Sequence, residues 1–240
     1  SSTSEADNKV GGRRSPREPK LSTSKGLNRF VWDMRYPSIP TIPGVFIESS
    51  FRGHKAIPGN YTITLKAGPQ TNSTTATILA NPLYQVGEND YKEFDALMKQ
   101  MEGEVIAMHT MILDLYESKN QLEGVLKNLS SDSKYSAVKT AGEGLVKQLK
   151  AWDEDMIQRK STAYDDVENF PNKFTAEYMF MVNQNESDIP RVNQPVLDLL
   201  KEYTPKWEAL KARGLDLKNN LLPALNKQLW EAGVGAVWIK

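Results

Sequence analysis

The chain has no cysteine, and only two histidines stand among its 240 residues. Without a thiol there can be no disulfide, no zinc–thiolate site and no thiol nucleophile. His54 falls in a loop and His109 borders a helical stripe, and neither has a second histidine at metal-ligand spacing. Both read as surface or seam residues. An excess of charge is missing too. Thirty Lys plus Arg balance thirty Asp plus Glu, so no whole-chain field favours nucleic acid or an anionic membrane. No run approaches the ~20 apolar residues of a membrane-spanning helix. No secretion signal opens the chain. Its start, Ser1-Ser2-Thr3-Ser4-Glu5, reads as the interior of a longer polypeptide. There is no Gly-x-Ser-x-Gly elbow, phosphate-binding loop or dinucleotide fingerprint, and Gly142-Glu143-Gly144 lies in a helical stripe with no strand before it. The expectation is a chain with no catalytic residue, no cofactor and no metal site.

What is present is a long seam. Phe94, Met98, Met101, Val105, Met108, Ile112, Leu115, Lys119, Leu122, Leu126 and Leu129 follow one another in steps of 4 and 3, and Leu97 widens the stripe. That alternation marks a helix packed lengthwise against others, running from about Asp90, with Asn89 or Asp90 as its cap. A second stripe is Val138, Ala141, Leu145, Leu149, Trp152 and Met156. Asn169-Phe170-Pro171 opens a third, shorter helix carrying Phe174, Tyr178 and Met181. The fourth runs from Val196 through Trp207 to Leu229, with kinks or a break expected at Pro205 and Pro223. Four stripes with short connections predict an antiparallel, mostly four-helix bundle over residues 88–240, ending in the apolar tail Gly233 to Ile239. That tail is too apolar to hang in water and is expected to dock.

Before Asn81-Pro82 the period is two. Phe30, Trp32 and Met34 alternate with Val31, Asp33 and Arg35; Tyr61, Ile63 and Leu65 alternate with threonines and Lys66; and Thr75, Thr77 and Leu79 alternate with Thr74, Ala76 and Ile78. The turn Gly68 to Asn72 makes the last two runs a hairpin, while Pro37, Pro40, Pro43 and Pro58 mark loops. Residues 26–84 thus predict a small, incomplete Ig-like or fibronectin-like β-sandwich, short of the strands needed to close. Trp32 should lie between its faces, flanked by Phe30 and Met34, with Asp33 and Arg35 able to pair. Residues 1–25, polar and basic with Pro16 and Pro19, read as an irregular linker. The fold class is α+β.

Two clusters invite a catalytic reading. Asp153, Glu154 and Asp155 with Asp165 and Asp166 are better explained as a solvated helix end, because adjacent helical carboxylates point apart. Trp32, Trp152 and Trp207 lie on buried stripes and read as core anchors, whereas Trp230 and Trp238 are open.

The string Gly26-Leu27-Asn28-Arg29-Phe30-Val31-Trp32-Asp33-Met34-Arg35-Tyr36, with Pro58-Gly59-Asn60-Tyr61 beyond it, resembles the C-terminal region of large bacterial sortilin-like proteins with BNR/Asp-box repeats. These are often labelled glycosyl hydrolases. The likeness extends through Asn169-Phe170-Pro171-Asn172-Lys173 and Leu225-Asn226, over most of residues 26–233. It implies a secreted, periplasmic or cell-surface parent in which a β-propeller precedes an Ig-like sheet and a helical bundle. No Asp-box occurs in this chain, so the propeller and any active site within it are absent, and no family catalytic residue maps here. Asn28, Arg29, Trp32, Asp33, Arg35, Gly59 and Tyr61 carry the resemblance as an architectural motif. The family pattern also has a strand before the basic loop, which leaves an unpaired sheet edge. The expected role is a non-catalytic accessory module that braces the propeller and offers a protein-binding surface, without nucleic-acid partners. The alternative is a carbohydrate-binding module resting on Tyr36, Phe46, Phe51 and Tyr84.

Overall fold

The stripe of threes and fours folds as one helix, α1 (Glu88–Asn128), 41 residues and about 60 Å long. Every apolar stripe position from Phe94 to Leu126 is buried. At the polar interruption Ser118 turns inward, while Lys119 lies over the Tyr116 ring at 4.4 Å and pairs with Glu123 at 3.4 Å. The helix begins two residues ahead of the expected caps. Gly87 is its N-cap, and Asp90 reaches back to accept the Gly87 N–H at 2.9 Å. The structure, a computed structural model, describes residues 21–130, 132–186 and 189–238. The basic linker expected over 1–25 lies mostly outside them.

Three further helical rods pack on α1. In α2 (Ser136–Met156), Leu145, Leu149, Trp152 and Met156 point into the core. Gly142 lets α2 approach closely, since a Cβ there would lie 2.6 Å from a Leu126 methyl. The third helix, α3 (Phe174–Glu186), starts later than Asn169-Phe170-Pro171, because those residues close a 3-10 turn over Tyr164–Glu168, with Phe170 N–H donating to the Asp166 carbonyl at 2.8 Å. α4 (Gln194–Asp216) is capped by Asn193, whose side-chain oxygen accepts the Val196 N–H at 2.9 Å, and it passes through Pro205 without ending. A π turn over Leu217–Leu221 then leads into α5 (Leu222–Glu231). Pro223 explains its position: lacking an N–H, it leaves the Asn219 carbonyl without a helical donor. In the tail, Val237 is buried and held on both sides, Asn226 accepting its N–H at 2.7 Å and donating to its carbonyl at 2.9 Å.

The β part is smaller than a sandwich. Among the described residues, 26–84 holds one antiparallel pair, β1 (Gly59–Ala67) and β2 (Gln70–Ile78), and one isolated bridge between Arg35 and Lys55. Gly68 at φ 58 and Pro69 form the two-residue turn, the positive-then-negative pattern that suits a twisted hairpin. The Phe30–Arg35 alternation makes no strand. Met34 sits at φ 57, which breaks the pleat, and Pro37, Pro40 and Pro43 withhold ladder donors just beyond it.

Residues 34–57 instead fold back on themselves as a strap. Ala56 N–H donates to the Met34 carbonyl, Tyr36 N–H to that of His54 and Ile39 N–H to that of Phe51, at 2.8, 3.0 and 2.7 Å. The limbs touch so closely at Gly53 that a Cβ would lie 2.3 Å from the Tyr36 carbonyl oxygen. The strap delivers Ile39, Ile42, Val45 and Ile47 into the hydrophobic cluster of the helices. The fold is therefore α+β: helices with a small two-stranded antiparallel sheet beside them. None of the described helices is long and apolar enough to cross a membrane.

Candidate functional site

One face of α1 carries acids within its apolar stripe. Asp95 and Glu102 stand two turns apart, and both are buried. The strap places His54 between them, fully buried. Its backbone N–H donates to Glu102 Oε1 at 2.8 Å, its ring Nδ1 lies 2.9 Å from Oε2 of the same carboxylate, and Nε2 lies 3.1 Å from Asp95 Oδ1. Ionised carboxylates only accept, so this geometry is satisfied by the protonated ring, both of whose nitrogens donate. Burial alone would push the His54 pKa down. The Glu102 and Asp95 carboxylates outweigh it, leaving the pKa above the ordinary 6.5. Lys99 completes the set, holding Asp95 Oδ2 at 2.6 Å and lying 4.7 Å over the Tyr36 ring. Its bond to Asp95 first, and then Tyr36, hold its pKa up at about 12. Tyr36 stacks on the imidazole, with ring centroids 4.4 Å apart.

With His54 and Lys99 charged against Asp95 and Glu102, the cluster is balanced. It can hold a proton firmly, but its histidine is closed to solvent and so cannot pass one to a substrate. Among the described residues no group of three His, Asp or Glu could hold a metal ion.

Beside the cluster a cleft of about 400 Å³ opens between the strap ends, the hairpin root and the start of α1. Met34, Ile57, Leu79, Tyr84, Tyr91 and Phe94 give it an apolar lining; Asp33, Lys55 and Glu186 contribute charge. Phe94 belongs to both features, its ring standing edge-on to His54 at 6.4 Å.

Of the residues singled out by sequence, Trp32, Asp33, Arg35, Gly59 and Tyr61 lie around this cleft and strap, but not as expected. Trp32 is half-buried rather than enclosed between sheet faces, while Phe30 and Met34 are 47% and 50% exposed. The Trp32 indole N–H donates to the Arg35 carbonyl at 3.0 Å, and its ring meets Tyr61 edge-on at 5.4 Å. Asp33 does not form a side-chain pair with Arg35. It binds Arg52 at 2.7 Å, its other oxygen accepting the Arg35 backbone N–H at 3.2 Å, and Arg52 foremost holds its pKa below the ordinary 3.8. Arg35 spans strap and helix, donating to the Gly53 carbonyl at 2.8 Å and to Glu186 of α3 at 3.1 Å. Asn28 donates to the Ser24 and Gly26 carbonyls, Arg29 is exposed, Gly59 opens β1, and the Tyr61 hydroxyl donates to the Ile57 carbonyl at 2.7 Å.

Three members of the acidic cluster have internal partners. Asp153 is buried rather than solvated, gripped by both arms of Arg159 at 2.6 Å; Asp155 binds Arg213; and Asp166 accepts from Thr162 and Ala163. Trp152 and Trp207 are buried, whereas Trp230 and Trp238 are exposed. Sequence reasoning missed the His54 cluster. Its one available signal was Asp95 and Glu102, i and i+7 on α1, intruding beside an otherwise apolar seam.

Compared with known proteins, the chain matches no family model, no curated protein and no solved structure.

Proposed function

We propose that this chain is a non-catalytic interaction module of a larger secreted or surface-attached protein, bracing a β-propeller of the same polypeptide. The observation that carries the reading is the hairpin. Register places Tyr61, Ile63, Leu65, Ala76 and Ile78 on one face and a threonine-rich set on the other. Ile63 and Leu65 nonetheless remain 48% and 50% exposed, with both ladder edges open among the described residues. A two-stranded hairpin is marginal alone and gains by adding strands or covering its apolar face. In this reading the hairpin belongs to an Ig-like sheet completed from outside the described residues, and the helices form an antiparallel four-helix bundle that supports it.

The carbohydrate-binding alternative has less to stand on. Tyr36 is committed to His54, the Phe51 ring lies 6.1 Å from that of His109, Phe46 is half-buried away from the cleft lining, and Tyr84 is the one of the four that lines the cleft. The test is hydrogen exchange of residues 59–78 in this chain, alone and with the propeller part of its polypeptide. Exchange should slow about tenfold or more, the equivalent of about 1.4 kcal/mol. Unchanged exchange together with glycan binding that Tyr84→Ala abolishes would replace this reading with the alternative.

A further inference from the structure

We infer that residues 34–57 form a strap whose seat on α1 is gated by pH from both sides, through two buried histidines in opposite electrostatic surroundings. The first latch is His54, carried by the strap into the carboxylates of α1. The second points the other way. His109 on α1 is buried, its Nδ1–H donating to the strap's Pro40 carbonyl at 2.6 Å, while its Nε2 is buried without a partner.

Consider loss of a proton from His54. One ring nitrogen would then present a lone pair to a carboxylate oxygen about 3 Å away, and the set would hold two anions against Lys99 alone. The groups that face the ring are Asp95 and Glu102, with Lys99 behind Asp95 and Tyr36 stacked from the strap. Arg35 stands beside it on the Gly53 carbonyl, balanced by Glu186 of α3. Lys99 is held up at about 12, and Asp95 lies below its ordinary 3.8, burial being outweighed there by Lys99 and His54. Neither of those two changes charge in the neutral range, which leaves the proton on His54 to respond.

Gain of a proton by His109 does the opposite damage. It would place a charge and a second N–H in a buried site where Nε2 meets no acceptor, the ring's neighbours being the Pro40 carbonyl and the Phe51 ring. Burial pushes its pKa below 6.5, and the Pro40 carbonyl offsets only part of that.

The signs then follow. His54, raised, stabilises the seated strap fully below pH 6.5, and this contribution is lost as pH rises through its folded value. His109, lowered, contributes fully above 6.5, and its share is lost as pH falls through its folded value. Attachment is strongest near 6.5 and weakens on either side. Because the strap ends supply Met34, Lys55, Ala56 and Ile57 to the cleft, release removes a wall of that cleft.

The test uses the full chain. Ring-nitrogen NMR at pH 6.5 should find both N–H groups predominating on His54 and His109 mostly neutral with its proton on Nδ1. Exchange of strap amides, corrected for intrinsic rates, should pass through a minimum near 6.5. Away from the minimum it should rise about tenfold for each unit by which the folded ring departs from that value. His54→Gln should abolish the alkaline rise alone. His109→Asn, whose amide can still donate to Pro40, should abolish the acid rise alone. A His54 ring titrating at or below 6.5, or strap exchange indifferent to pH, overturns the inference. The ring titration decides on the unaltered chain even where a variant does not fold.

Discussion

Replacing Trp32 with alanine separates a local anchor from a core residue. The side chain is half-buried, so its loss removes three things: the indole bond to the Arg35 carbonyl, the edge contact with Tyr61 and roughly half a ring of buried surface. The bond is worth about 1 kcal/mol and the ring pair about 1 kcal/mol. Part of the buried area is already counted in the pair, so the total comes to about 2–3 kcal/mol rather than the ~3–5 of a fully buried aromatic. That energy ties the strap to the hairpin through Tyr61, and it does not tie helix to helix. The expected readout is therefore local. Exchange of β1 and β2 amides should quicken about 30- to 150-fold, while the helical melt monitored by circular dichroism moves little. Trp32→Phe, which loses the indole donor but keeps a ring for Tyr61, should quicken exchange only about fivefold. Two outcomes refute the reasoning. Loss of about 3–5 kcal/mol from the global transition would make Trp32 part of the main core. Unchanged hairpin exchange would mean that the Tyr61 contact anchors nothing.

Two further predictions concern the helices. A Cβ at Gly214 would lie 2.4 Å from Met111 Sδ and 3.0 Å from the Trp152 ring. Gly214→Ala should therefore forfeit its helix-propensity gain of about 1 kcal/mol and end destabilised by about 1 kcal/mol in urea unfolding; a net stabilisation would show that α4 does not approach α2 that closely. Asn226→Ala removes both bonds that hold Val237, so near-ultraviolet or fluorescence signals from Trp238 should shift and proteolysis of the tail should accelerate, with about 1–2 kcal/mol lost from tail docking. Tail cleavage at the original rate would show that burial of Val237 alone suffices.

The helical part was legible because its signal is periodic and redundant. Nine apolar stripe positions along α1 vote for one face, so a single exception such as Lys119 costs nothing, and a shift of two residues at Gly87 leaves the face unchanged. A strand of six residues has no such redundancy. Phe30 to Arg35 alternates as well as Tyr61 to Lys66 does, and what separates them lies outside the alternation: Met34 at positive φ and the prolines that follow. The hairpin had Gly68-Pro69 to set its turn and register; the first run pairs only at its end, through the single bridge of Arg35 with Lys55. The strap was illegible for a different reason. Ile39, Ile42, Val45 and Ile47 have neither period two nor period 3.6, because each is aimed by a proline-bent backbone rather than by a repeating one. The His54 cluster compounds the difficulty, since its members lie 41 and 48 residues apart and only the folded strap brings them together. What sequence could have offered was a question: two acids at i and i+7 beside a seam that buries everything else need a cation, and their own helix supplies Lys99 for only one of them. The second has to come from elsewhere in the chain, and with only two histidines available, a loop histidine that is buried is the candidate that both carboxylates can share.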